Sequence, residues 1–299
     1  MTTIFLTGAT GYIGGSVGAR LLDAGHRVRG LVRSQDSAAL LAERGFEPVM
    51  GSLEDTELLT REASAAGAVI NTASADHAGA LQALIDGLKG SSNPLLHTSG
   101  SSVIGDDARG TRRSDAVFDE ETPFVVSAMK QARRDLDLLV TGAAAASVRT
   151  AVICPGLIYG IGKGLNPNSV QIPFLATNAR AQGAVQLVGT GLNVWSNVHI
   201  DDLAELYLLV LSKAPAGSFY FAENGEASFS EMGTAIAKRL GLSRVESLPP
   251  ESAAQQWGES KAYLTLGSNS RVRATRARRE LGWAPRHASV IEWILHEMP

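Results

Sequence analysis

Short apolar runs alternate with stretches of helical period through the first half of the chain. Ile4-Phe5-Leu6 reads as a buried strand, and residues 14–24 follow it with Val17, Leu21 and Leu22 at helical spacing. Residues 27–32 alternate toward Val32 as a second strand. Residues 38–44 form a short helix closed by Gly45, and residues 46–50 give a third strand. Apolar runs at 68–71 and 94–98 supply a fourth and a fifth. A helix over 125–146, weakened near its end by Gly142, leads into a sixth strand at 147–154 that Pro155-Gly156 terminates. Strands alternating with helices predict an α/β architecture, a doubly wound parallel sheet with sites at the carboxyl ends of its strands.

The second half is less regular. Residues 160–168 are glycine-rich, 171–180 read as a helix despite Pro173, and 185–188 as a short strand. Val198-His199-Ile200 precedes Asp201-Asp202 and a helix at 203–211, with Asp201 as its expected N-cap. A strand at 218–221, a helix at 229–240 closed by Gly241, short helices within 249–262, a helix at 274–281 and another at 291–296 complete the pattern. The change in character divides the chain into a nucleotide-binding domain, 1–160, and a smaller, mainly substrate-binding region, 161–299. Part of the latter, about 185–213, is expected to return to the main sheet. Between the fifth strand and the long helix, residues 99–122 are polar and irregular, and a stretch of that length reads as a substrate-side loop.

The first turn carries the most specific chemistry. Thr7-Gly8-Ala9-Thr10-Gly11-Tyr12-Ile13-Gly14 joins a strand to a helix, the context that a dinucleotide-binding turn requires. Gly8 permits the tight turn, Gly11 removes a side chain where backbone must approach a pyrophosphate, and Gly14 lets helix and strand pack closely. The helix start, with Thr10, Tyr12 and Ile13, offers free N–H groups to phosphate. At the end of the second strand, where an acid would accept from the ribose of NAD, the chain has Arg33-Ser34. A guanidinium pairs with a 2′-phosphate, so this reads as NADP(H). The alternative is a solvated arginine with Asp36 recruited to the ribose.

Composition narrows the rest. A net charge of −3 gives no nucleic-acid or membrane footprint, and the 44% hydrophobic content is that of an ordinary globular protein. The single cysteine, Cys154, excludes an intrachain disulfide and sits in an apolar run that favours packing. Met1-Thr2-Thr3 places no positive charge before the first apolar run, so no signal peptide is expected. No apolar stretch is long enough to span a bilayer. The expectation is a cytoplasmic protein with a small-molecule substrate. No histidine–acid group has metal-ligand spacing, so no metal is expected. The basic run Arg271–Arg279 reads as a solvated helix face.

The spacing Thr-Gly-x-x-Gly-x-x-Gly resembles that of the extended short-chain dehydrogenases/reductases, of the sugar-nucleotide epimerase/dehydratase type. Three later segments, in the family's order, carry the same resemblance: Cys154-Pro155-Gly156-Leu157-Ile158-Tyr159-Gly160, Asn197–Ala204, and Leu281-Gly282-Trp283-Ala284-Pro285. The resemblance implies a Rossmann sheet with Ser52-Leu53 bordering the adenine. Ala73, Ser74 and Thr98 would lie beside the pyrophosphate and ribose, and Pro155, Gly156, Leu157 and Ile158 would form a loop beside the nicotinamide.

The chain departs from the family's pattern at the chemistry. The family's tyrosine exchanges a proton with the substrate oxygen, and a lysine four residues on lowers the phenol's pKa and binds the ribose. Lys130 matches that lysine, which puts Val126 at the tyrosine position, and no tyrosine lies between Tyr12 and Tyr159. Tyr159 and Lys163 have the spacing but fall in the glycine-rich loop, where Tyr159 alone could face substrate. Alignment on Val103 through Gly105 puts Gly100 where the family has a serine, flanked by Ser99 and Ser101. The residues and the resemblance together imply an atypical NADP(H)-dependent oxidoreductase of a small or medium organic substrate, and the resemblance implies a monomer or homodimer. Lys130 would sit on the ribose, with proton supply from Tyr159, Ser99, Ser101 or water. The alternatives are an NADP(H)-binding sensor without turnover and a redox-neutral epimerase or dehydratase. His97 reads as a packed histidine, and His199 as structural.

Overall fold

In the computed structural model, which describes residues 1–299, the first half folds as β1 (Thr3–Thr7), α1 (Tyr12–Asp23), β2 (Arg27–Val32), α2 (Gln35–Ala42), β3 (Glu47–Met50), α3 (Thr56–Ala65), β4 (Ala68–Asn71), α4 (Ala78–Leu88), β5 (Pro94–Thr98), α5 (Gln131–Gly142) and β6 (Arg149–Pro155). The second half adds β7 (Leu157–Tyr159), α6 (Gln171–Gln182), β8 (Val185–Val188), β9 (Val194–His199), α7 (Ile200–Lys213), β10 (Ser218–Ala222), β11 (Glu226–Ser228), α8 (Phe229–Leu240), β12 (Val245–Leu248), α9 (Pro250–Trp257), α10 (Thr275–Leu281) and α11 (Val290–His296).

Seven strands form one parallel sheet in the order β10-β6-β5-β4-β1-β2-β3. Its central strands are apolar on consecutive residues because both faces are covered. Ile4, Leu6, Ile70 and Leu96 enter one core with α1 and α7, while Phe5, Val69 and Leu95 enter the other with α3 and α4. The strand order reverses between β1 and β4, which opens a crevice at their carboxyl ends.

The second half contributes β10 to the main sheet, while α7 packs on α1. The returning segment is therefore Ile200–Ala222, shifted from the expected 185–213. β8 instead pairs with β12, and β7, β9 and β11 form a third sheet. A separate core of Tyr159, Ile172, Trp195, Phe229, Ile236 and Trp293 fills this smaller region. No helix is long and apolar enough to cross a membrane.

Three expectations change in the structure. The helix expected over 125–146 is α-helical only from Gln131 to Gly142, with 3₁₀ turns Ala128–Lys130 and Ala143–Ala146 at its ends. Ser127 is extended (ψ 151°) and Val125 is 95% exposed, so no burial holds another helical turn there. His199 caps α7 in place of Asp201, its Nδ1 accepting from the Asp201 N–H at 3.2 Å.

The basic run is not a solvated face. Arg271, whose side chain is 8% exposed, pairs with Glu226, and Arg278 with Glu223. This segment straps down the polar loop. Asn269 donates to Asp106 and accepts from the Ser114 N–H, and the Phe118 and Arg271 backbones join. Glu120 receives the N–H groups of Phe221 and Arg276. Asp106, Asp119 and Glu120 of the loop are spent on holding backbone N–H groups.

Candidate active site

The crevice between β1 and β4 is built by backbone. Gly8 adopts φ +78°, a conformation that side-chain-bearing residues rarely take. A Cβ on Gly14 would fall well under 3.0 Å from the Gly8 carbonyl oxygen and Thr72 Oγ1. Gly11 differs, since a Cβ there would meet only the Gly8 carbonyl oxygen, at 3.2 Å, and its open side faces the cleft. Gly11 is also the N-cap of α1 and supplies no side-chain cap, so the first N–H groups of this helix, at Tyr12 and Ile13, have no side-chain acceptor. The cleft, about 280 Å³, is lined by Gly8, Thr10, Gly11, Arg33, Ser52, Leu53 and Ala73 among others. An uncapped helix start, a cradle that any Cβ would fill and an exposed arginine on the same cleft together fit a dinucleotide.

Other residues expected around the cofactor have different employment. The Tyr12 hydroxyl donates to the Gly160 carbonyl at 2.9 Å, and Ile13 packs on the core. Ser34 caps α2, its Oγ accepting from the Ser37 N–H, and Ser74 Oγ accepts from the Asp76 N–H. The Thr98 hydroxyl bonds Tyr207 at 2.5 Å, so that side chain points to α7. Pro155 ends β6, Leu157 and Ile158 belong to β7, and Gly156 is the single residue between the two strands, so these four residues are a buried or half-buried strand-to-strand step in place of the expected loop. A Cβ on Gly156 would collide with the Ser196 carbonyl, which explains the glycine by the approach of β9.

The hydroxyls expected to move protons are largely committed. Tyr159 is 1% exposed and donates to the His287 carbonyl at 2.9 Å. Burial raises its pKa above the ordinary phenol value, and it does not face an open site. Ser101 is buried and bonded to Ser270 at 2.7 Å. Ser99 donates to Asp137 Oδ2 at 3.0 Å. The other Asp137 oxygen has no partner, and burial lifts its pKa from 3.8 to about 6. Lys130 lies half-buried at the N-cap of α5, its pKa lowered by burial and then by Arg133, and opposed by Asp76.

One cluster is invisible to motif reading. Arg133, in the first turn of α5, donates Nε to Asp76 Oδ1 at 2.8 Å, a second N–H to Asp76 Oδ2, and Nη1 to Ser102 Oγ at 3.3 Å. The ion pair raises the Arg133 pKa and lowers that of Asp76. Its Nη1 lies 3.6 Å from where a Cβ on Gly100 would be. Beneath it, His97 is fully buried and held neutral, burial pushing its pKa to about 4. Its Nδ1 lies 3.0 Å from Asn71 Nδ2, and Asn71 Oδ1 accepts from Thr7.

His199, Asp201 and His287 bring ligand atoms within 4.8 Å of one another. Their sequence positions gave no sign of this. The two rings stack at 3.8 Å and 18°, and Lys163 holds Asp201 at 3.0 Å.

These features define a Rossmann-type α/β protein with a dinucleotide cleft at its topological switch point. Residues 4–220 match the NAD dependent epimerase/dehydratase family, and the chain belongs to that family. It is 34% identical over 323 residues to an oxidase, ucsJ, of Acremonium sp., covering 94% of this chain and 92% of that one. It is 24% identical over 314 residues to the 4-hydroxy-2-methyl-3-oxo-4-farnesyl-3,4-dihydroquinoline-1-oxide ketoreductase of Stigmatella aurantiaca, covering 94% and 92%. Among solved structures it resembles the dTDP-glucose 4,6-dehydratase DesIV of Streptomyces venezuelae, a complex with NAD, at a TM-score of 0.78 and 21% identity over 98% of this chain and 94% of that one. That likeness is one of fold.

Proposed function

We infer that the protein is an NADP(H)-dependent oxidoreductase acting on a carbonyl or alcohol of a small or medium organic molecule, without the tyrosine usual in its family. The observation that carries this reading is the cleft, in which the uncapped glycine turn and the exposed Arg33 line one cavity. Gly8, Gly11 and the N–H groups of Tyr12 and Ile13 would hold the pyrophosphate, Arg33 the 2′-phosphate and Lys130 the ribose. Glu54 lines the same cleft and opposes a phosphate there, so Arg33 must prevail over it. When bound, the nicotinamide supplies or accepts a hydride. Ser99, hydrogen-bonded to Asp137, is the hydroxyl this reading assigns to proton exchange, alongside water. The oxidase and ketoreductase relatives agree with redox turnover.

The test is a pair of titrations. NADPH is expected to bind at least tenfold tighter than NADH, and Arg33→Ala to remove most of that difference, since a charge-assisted hydrogen bond is worth about 1.5–3 kcal/mol. A ratio unchanged in the variant overturns the assignment of NADP(H). The commitment of the Tyr159 and Ser101 hydroxyls elsewhere favours a second reading, a sensor that binds without turnover. Deuterium carried from labelled NADPH into any carbonyl substrate excludes it.

A further inference from the structure

The guanidinium of Arg133 sits where the missing chemistry should be. In the family's pattern a serine stands at the position of Gly100, and here Arg133 Nη1 lies 3.6 Å from the place of that residue's Cβ. The chain has removed one donor and brought in another. Arg133 is 20% exposed, so it is desolvated on most sides and open on one.

The orientation of that group is fixed. A guanidinium has five N–H donors. Asp76 takes two, through Nε and Nη2, and Ser102 takes one from Nη1. One N–H on each Nη is left without a partner. Two donors on a rigid planar group match two oxygens in bidentate fashion, which a lysine or a serine cannot do. With Lys130 and Arg134 added to Arg133, against Asp76 and Asp137, the corner keeps a net positive charge. Neutral ketones gain little from such a corner, whereas a carboxylate or enolate beside the reacting carbon gains two charge-assisted bonds.

We propose that Arg133, held by Asp76, is the substrate-binding residue of this site and takes an acidic carbonyl compound, an oxo acid or an enolised 1,3-dicarbonyl, through its two unpaired N–H groups. Asp76 is the positioning residue. This rests on the oxidoreductase reading for the place of the reacting carbon, but binding of the anion does not require turnover.

The probe is malonate, an unreactive dicarboxylate, titrated into the protein saturated with NADP⁺ and followed by calorimetry, with dimethyl malonate as the neutral control. Malonate is expected to bind saturably and the diester not to bind. Arg133→Met should weaken malonate about ten- to a hundredfold while leaving NADPH affinity in place. Arg133→Lys should recover part of the loss. Asp76→Asn, a change in an exposed loop, should weaken malonate several-fold through lost orientation, which keeps the proposal testable if Arg133→Met does not fold. Malonate binding that Arg133→Met leaves unchanged, equal binding of the diester, or no saturable malonate binding by the wild-type protein overturns the proposal. Failure of the wild-type protein to bind NADPH overturns instead the cofactor reading, with malonate titrated into the free protein still deciding the role of Arg133.

Discussion

The two ends of the candidate site are made of different material. The nucleotide end is backbone: a glycine at φ +78°, a helix start without a side-chain cap, and a glycine whose Cβ would strike a carbonyl. The catalytic corner is side chain, with Arg133 on α5 clamped by Asp76 from beyond β4, and Ser99 turned onto a buried acid. Backbone sites depend on residues adjacent in sequence and tolerate almost no substitution. Side-chain sites are assembled from distant segments, and one donor can replace another if it reaches the same point. On the reading proposed above, the corner does without the family's tyrosine and serine and stays polar through Arg133 and Asp76.

The comparison breaks first at Gly14. Gly14→Ala puts a methyl group into the Gly8 carbonyl and Thr72, with backbone on one side that cannot give way. Overpacking of that kind costs about 3 kcal/mol, and nucleotide binding should disappear with the turn. Gly11→Ala is the informative partner, because its methyl meets only the Gly8 carbonyl, at 3.2 Å. Its thermal midpoint should stay within a few degrees of wild type while NADPH affinity falls at least about tenfold. Equal loss of stability in both variants would mean that Gly11 is structural and that its open side serves no phosphate.

Asp137 sharpens the side-chain half. Its folded pKa of about 6 lies above its usual 3.8 because burial disfavours the charge. The protonated form is thus favoured by folding. Its contribution is fully present below about pH 4, is lost as pH rises to about 6, and stays lost above. A rise from 3.8 to about 6 corresponds to about 3 kcal/mol at most. Asp137→Asn should therefore stabilise the protein toward urea by up to that amount at pH 8 and leave it nearly unchanged at pH 4. A variant equally destabilised at both values would show that the Ser99 bond, and not the buried charge, sets the energetics of this position.

Legibility follows the same division. Strands β2, β4 and β5 and helix α8 were readable to the residue, because strand burial and helix period are local patterns and Gly241, at φ +68°, stops α8 where its sequence says. The glycine turn was readable for the same reason. Arg133 and Asp76 are 57 residues apart, and Tyr159 and the carbonyl that consumes its hydroxyl 128 apart, so no spacing rule connects them. The basic run misled because alternate arginines on a solvated helix and on a strap look alike until Glu223 and Glu226 are placed beside them. The length of 125–146 misled because helix propensity continues past the point where packing stops.

That last error bears on whether the family's chemistry could be restored. A tyrosine and a lysine four residues apart share a face only on a continuous helix. Between Val126 and Lys130 the chain is extended at Ser127 and 3₁₀ from Ala128, with Lys130 itself at the N-cap of α5. A phenol introduced at 126 would not stack over the lysine. Val126 is half-buried and its neighbour Val125 almost fully exposed, so Val126→Tyr should change stability by less than about 0.5 kcal/mol. It should add no alcohol-dehydrogenase activity and leave the pH profile of any turnover where it was. A gain of activity with a new ionisation between pH 6 and 10 would mean that the segment 125–130 winds into helix when substrate or cofactor binds. The side-chain half of the site would then be as much a matter of local backbone as the glycine turn.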